Sequence, residues 1–277
     1  MTDFTLMGIV NVTPDSFSDG GRYFESSAAI AHGLELELEG AAILDIGGES
    51  TRPGADPVGA EEELRRVLPV IEGLVAAGCK ARISIDTSKS EVAAEALAAG
   101  ASYVNDVTAF RGDPELADVV AYAGADCCLM HMLGDPRTMQ ENPRYDDVVV
   151  DVREFLEERM AFAFGRGIER KRIMLDPGIG FGKTIDHNLE LLRRLDELVA
   201  IGRPLVIGTS RKSFLGRITG REPDERVAAT VATNVIAYER GARVFRVHDV
   251  APVRDALAVT AATVTARWPT PTISTTT

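Results

Sequence analysis

Cysteine is nearly absent. Three thiols occur in 277 residues, Cys79 alone and Cys127 beside Cys128. With no CxxC spacing they supply neither a disulfide framework nor a zinc knuckle, and buried free thiols in a reducing cytoplasm are expected. The start, Met1-Thr2-Asp3-Phe4, lacks a basic stretch followed by a long apolar run, so no secretory signal is expected. No apolar run reaches membrane-spanning length. Basic charge is in deficit as well: 30 Lys and Arg against 42 Asp and Glu leave a net charge of −12. That balance excludes a general nucleic-acid or membrane-surface binder, although one local cluster of cations escapes a global count. The histidines are dispersed and build no zinc site: His32 and His187 fall in helical segments, and His131 and His248 end different strands. No GxGxxG follows the first strand-like run, which weakens the dinucleotide-binding form of an open sheet.

What is present alternates. Short apolar runs rich in β-branched residues fall at 6–10, 42–46, 82–85, 102–104, 127–130, 172–175, 204–207 and 244–247. Continuous apolar runs predict strands covered on both faces, as in a parallel sheet. Between them, helical patterns run over 26–39, 61–77, 90–98, 114–123, 148–166, 187–200, 225–240 and 252–267. Gly40, Gly78, Gly100, Gly124, Gly167, Gly202 and Gly241 follow seven of these and suit left-handed C-caps. Eight strand–helix units predict an α/β fold, a (β/α)8 barrel forming one domain over 1–268, with a doubly wound sheet as the competitor. The composition, 45% hydrophobic and 26% charged, supports a core that needs no staple. Residues 269–277 are Pro/Thr-rich and are expected to be a disordered tail.

The residues at the strand ends are polar: Asn11, Asp45, Asp86, Asn105 with Asp106, His131, Asp176, Ser210 with Lys212, and Arg246 with His248. A barrel gathers such positions at one mouth. Any one of them has a structural reading, Asp86 or Asp106 as a helix cap and Asp45 as a buried hydrogen-bonding partner; such a reading for every strand at once is less economical. The 11–21 stretch after the first strand is long, polar and glycine-ended, and carries Phe17. Its length predicts a lid, since a loop-tip aromatic is costly unless it covers something. After the second strand, Gly47-Gly48-Glu49-Ser50-Thr51-Arg52-Pro53-Gly54 joins freed backbone amides, hydroxyls and a guanidinium in what reads as an anion clamp. Arg211, Lys212, Arg246 and His248 follow the seventh and eighth strands, where barrels commonly bind phosphate. Asp86 and Asp176, with the Asn105 amide, suit a guanidine-like heterocycle edge; a metal is the other ligand they would suit.

At these residues the chain resembles dihydropteroate synthase, the sulfonamide-target family of folate synthesis. The matching stretches are 7–21, 43–54, Ser84-Ile85-Asp86-Thr87, Asn105-Asp106, 129–132 with Thr138-Met139-Gln140, 176–183, Ser210-Arg211-Lys212-Ser213 and Arg246-Val247-His248. They occur in order and cover essentially the whole chain apart from its last residues. The resemblance implies condensation of 6-hydroxymethyl-7,8-dihydropterin diphosphate with 4-aminobenzoate, releasing diphosphate. It further implies Asn11 on Mg²⁺ with the diphosphate, Arg246 and His248 on the diphosphate, and Asp86, Asn105, Asp176 and Lys212 on the pterin. Phe17, Thr51, Arg52, Pro53, Phe181 and Ser213 would form the aminobenzoate pocket, with Asp19 meeting Arg52 across two loops. A cytoplasmic homodimer is the family expectation. The alternatives are a methyltetrahydrofolate-dependent methyltransferase on the same barrel, which needs no diphosphate clamp, and a pterin-binding paralogue without turnover.

Overall fold

The computed structural model describes residues 3–12, 22–51, 54–135 and 138–266, with backbone alone for 22–25. In chain order the elements are β1 (Thr5–Asn11), α1 (Arg22–Glu39), β2 (Ile43–Gly47), α2 (Ala60–Ala76), β3 (Arg82–Asp86), α3 (Ser90–Ala98), β4 (Tyr103–Asp106), α4 (Leu116–Ala123), β5 (Asp126–Met130) and α5 (Val148–Gly165). They continue as β6 (Ile173–Asp176), α6 (Ile185–Arg193), α7 (Leu195–Val199), β7 (Val206–Ile207), α8 (Ser213–Thr219), α9 (Val227–Glu239), β8 (Val244–Val247) and α10 (Val250–Thr265). The strands pair in parallel in the order β6-β5-β4-β3-β2-β1-β8-β7. The ring closes where Leu175 of β6 bridges Leu205, just before β7, and its amide donates to the Pro204 carbonyl at 3.0 Å. That contact joins the two edges of the sheet, so the fold is the expected (β/α)8 barrel and the open doubly wound sheet is excluded.

Two separate packings explain the continuous apolar runs. Outward residues such as Leu44, Ile46, Ile85 and Val104 are fully buried against the helices. Each contributes on the order of 1.5–3 kcal/mol. Met7, Ile43, Tyr103, Cys128, Val206 and Val244 face inward and form the barrel floor, with Met174 packed on them. Side chains alternate along a strand, so residues two further along stand above that floor, nearer the C-terminal mouth. There the inward positions turn polar.

The helices follow their apolar spacing. In α2, Val67, Val70, Ile71 and Leu74 lie on one buried stripe, and Glu61, Glu62 and Glu63 sit in the first turn, where the helix dipole favours anions. All seven glycines expected at helix ends have positive φ, from 61° at Gly124 to 120° at Gly100. The segment 187–200 differs from expectation: it divides into α6 and α7 at Arg194, whose guanidinium gathers Asp147, Glu190 and Glu197. The short α8 was not expected; seven residues are too few for a periodic signal. Val12 aside, the predicted lid beyond Asn11, including Phe17 and Asp19, lies outside the described residues, as do Arg52, Pro53 and residues 267–277, which include the expected 269–277 tail.

Candidate active site

Backbone register brings four strands level at the mouth. Asn11 pairs with Gly47, Gly47 with Asp86, and Asp86 with Asn105. One step lower, Asp45 pairs with Ser84. Gly47 carries no side chain between Asn11 and Asp86, and a Cβ there would stand 3.5 Å from that of Asp86.

Asp45 organises the centre. It is fully buried, accepts Ser84 Oγ at 2.6 Å and Asn105 Nδ2 at 2.9 Å, and pairs with Arg246 Nε at 2.5 Å. The Arg246 Nη2 reaches Asp86 Oδ2 at 2.7 Å. One guanidinium thus ties two carboxylates contributed by different strands, with its Nη1 and the second Nη2 hydrogen left for other partners. The two carboxylates keep Arg246 a cation against the pull of burial. Burial raises Asp86 above the usual carboxylate range, and the facing guanidinium opposes that rise. Fixing Asn105 through its Nδ2 leaves its carbonyl and one N–H for other partners.

Asp176 stands opposite. Its Oδ1 accepts the Gly178 amide at 2.6 Å, yet burial pushes its pKa up to about 6. Lys212 lies with its ammonium 4.0 Å from the centre of the Phe181 ring. Burial, and then the nearby Arg246 charge, depress Lys212 to about 8, while Asp176 and Asp86 oppose the fall. Phe181 packs in turn on Val107, Met130, Met132 and Met139, an apolar wall beside the polar floor.

His248 is held by Ser210. The hydroxyl accepts the His248 backbone N–H at 3.1 Å and lies 3.0 Å from Nδ1. Burial, followed by the Arg246 charge, lowers the imidazole to about 3, so it is neutral at physiological pH. In the tautomer whose Nδ1 accepts from Ser210, Nε2 carries the proton and can donate to an anion.

The four basic residues after β7 and β8 do not all converge. Arg211, at φ 56°, turns to a two-point pair with Asp249 at 2.7 and 3.0 Å and reaches Asp224 at 3.0 Å. Lys212, Arg246 and His248 remain at the mouth. Thr51 follows β2, half-buried, and Ser213 opens α8, exposed. Asn11 is half-buried at the end of β1. Among the described residues no group of three or more His, Cys, Asp or Glu could hold a metal ion. Asp45 is the buried hydrogen-bonding partner expected of it; Ser84 and Ser210 also organise the site, and their signal was a polar residue two before another polar one, Asp86 and Lys212.

The loops after β5 and β6 are pressed together. Gly178 has φ 66°, and a Cβ on it would stand 1.8 Å from the His131 carbonyl oxygen, a backbone atom with no room to yield. Gly178→Ala is therefore expected to lower unfolding stability by about 3 kcal/mol through strain and overpacking. Urea denaturation reads this; a midpoint equal to wild type would show that the loops separate freely.

Comparison with known proteins agrees with this architecture. The profile of the family described as pterin binding enzyme matches residues 7–248. The dihydropteroate synthase of Escherichia coli K12 is 45% identical over 262 residues, covering 95% of this chain and 92% of the relative. That of Neisseria meningitidis serogroup B is 49% identical over 260 residues, covering 92% and 90%. A crystal structure of the Xanthomonas albilineans dihydropteroate synthase with 4-aminobenzoic acid superposes with a TM-score of 0.88 at 51% identity, covering 96% of this chain and 94% of that one. With its barrel, its ordered strand-end residues and these relatives in agreement, the chain belongs to the pterin-binding enzyme family, among the dihydropteroate synthases.

Proposed function

We propose that the chain condenses 6-hydroxymethyl-7,8-dihydropterin diphosphate with 4-aminobenzoate to give 7,8-dihydropteroate and diphosphate, as a transferase of folate biosynthesis. The observation that carries this reading is the ring of Asp86, Asn105 and Asp176 with Lys212 and Arg246 at one barrel mouth. Two carboxylates and an oriented amide match the N–H-rich edge of a pterin. In the relatives, a Xanthomonas albilineans enzyme has been crystallised with 7,8-dihydropteroate, which joins both halves of the proposed product.

The reaction breaks the bond between the exocyclic methylene and the diphosphate oxygen, and forms one between the methylene and the aryl amine nitrogen. The electron pair leaves with the diphosphate, and the amine loses a proton. Charge therefore grows on the diphosphate, and the groups aimed at it carry the catalysis. Arg246 offers Nη1 and its remaining Nη2 hydrogen, and His248 offers Nε2–H. Asp86, Asn105 and Asp176 anchor the pterin, with Lys212 over Phe181 beside them. Asn11 supplies a hard amide oxygen that suits Mg²⁺ carried largely by diphosphate oxygens and water, where the ion would neutralise leaving-group charge. In this reading Thr51, Arg52, Pro53, Phe17, Phe181 and Ser213 would form the aminobenzoate pocket, with Asp19 meeting Arg52.

The catalytic domain is read as 1–268, acting as a homodimer in the cytoplasm. Three free cysteines support a reducing compartment, and among the described residues no helix is long and apolar enough to cross a membrane. The test is an assay of the purified, folded protein with the pterin diphosphate, 4-aminobenzoate and Mg²⁺. Dihydropteroate is expected. Its absence above background, or pterin binding without turnover, overturns the proposed reaction.

A further inference from the structure

Lys183 is a buried amine that the reaction above does not use, its pKa lowered by burial to about 7. It is 3% exposed, and its nitrogen contacts His131 Nδ1 at 2.8 Å, the Gly178 carbonyl at 2.9 Å and the Phe181 carbonyl at 3.0 Å. The His131 carbonyl lies farther off, at 3.4 Å. Three donors thus meet three close acceptors, and no ion pair is made to Lys183 among the described residues. Burying such a group is costly unless its hydrogen bonds are satisfied, and here all three are.

What it organises is the 178–182 loop. Gly178, Gly180 and Gly182 all have positive φ, so the backbone has unusual freedom to lose on ordering. Each remaining carbonyl of the loop glycines has its own tie: Gln140 Nε2 donates to Gly180 at 2.7 Å and Tyr145 Oη to Gly182 at 2.7 Å. The Lys183 amine holds the carbonyls of Gly178 and Phe181. Gly178 itself donates its amide to Asp176, and Phe181 itself carries the ring beneath Lys212. His131 anchors the amine from the β5 side. Burial, and then the Lys183 charge, hold that imidazole down to about 2, a neutral acceptor.

We propose that Lys183, seated on His131, is a positioning residue of the pterin site, its amine holding the 178–182 loop so that Asp176 and the Phe181–Lys212 pair face the pterin. The proposal rests on the reading of this mouth as a pterin site. Lys183→Met keeps the stem and removes the amine. It is expected to raise the KM for the pterin diphosphate about tenfold with a smaller change in kcat, as ångström-scale misplacement of binding groups does. Hydrogen exchange of the 178–182 amides should quicken in the same variant. Lys183→Arg should recover part of the KM, and adding His131→Gln to Lys183→Met should add little, because the two act as one unit. A folded Lys183→Met with wild-type KM and wild-type exchange overturns the proposal. If that variant does not fold, His131→Gln alone must raise KM, and an unchanged value there overturns it equally. Should the wild-type protein form no dihydropteroate, the reaction falls, while the Kd of a free pterin and the loop exchange still decide the role of Lys183.

Discussion

Asp45→Asn is expected to reduce kcat/KM for the pterin diphosphate by on the order of 10² to 10³, the consequence of breaking a buried charge pair worth roughly 3–5 kcal/mol when one partner is removed. Three donors converge on the Asp45 carboxylate: the Ser84 hydroxyl, the Asn105 amide and Arg246 Nε. An asparagine must turn its own NH₂ toward one of them. Arg246 would keep only Asp86 as a counter-charge, and Asn105 would lose the contact that fixes its amide. Both effects fall on groups at the barrel mouth, so substrate binding suffers along with folding stability. Ser84→Ala is the control: it removes one neutral donor and should cost only about 1 kcal/mol. Steady-state kinetics with calorimetry separate the two contributions. An Asp45→Asn enzyme with kcat/KM within a few-fold of wild type would show that Arg246 and Asn105 hold their places unaided.

The barrel was legible in the sequence because burial on both faces leaves no choice of residue. Runs such as 42–46 and 204–207 could only be covered strands, and glycine after each helix marked where the chain reverses. The mouth was legible because polar residues interrupt those runs at their ends: Asp86, Asn105, Asp176, Lys212, Arg246 and His248 are all brought to it. Their partners were not legible. Arg246 and Asp45 are 201 residues apart, and nothing local says that the guanidinium turns inward to two carboxylates while Arg211 turns aside to Asp249. Lys183 shows the same limit. Its motif was visible, but its role depends on His131, brought alongside only when β5 and β6 pair. Closure of a ring is a long-range fact, and so is every contact made across it. Pterin, diphosphate and aminobenzoate came from the resemblance; the residues themselves specify a donor-rich edge and an anion.

Pterin affinity is expected to be greatest between about pH 7 and pH 8, with the acid limb set by Asp86 and Asp176 together and the alkaline limb by Lys212. Burial raises Asp176 from 3.8 to about 6, so the folded protein holds this proton more tightly than the unfolded chain does. The group's contribution to stability is therefore fully present below its unfolded pKa and is lost as pH rises through about 6. Ligand N–H groups prefer the carboxylate, so pterin affinity rises across the same window in which the unliganded fold loses stability. Lys212 runs the other way: its folded pKa is depressed from 10.5 to about 8. Its contribution to stability is present above the unfolded value and is lost as pH falls through about 8. The cation itself is lost above about pH 8, and pterin affinity falls with it. Calorimetric titration with a free pterin from acid to alkaline pH, corrected for the ligand's own ionisation, reads both limbs. Lys212→Ala should weaken binding throughout, by roughly tenfold to a hundredfold for a charged hydrogen-bonding group. Lys212→Arg should keep the cation and abolish the alkaline limb, because a guanidinium does not titrate in this range. An alkaline limb that survives in Lys212→Arg would assign it to another group and remove Lys212 from the pterin site.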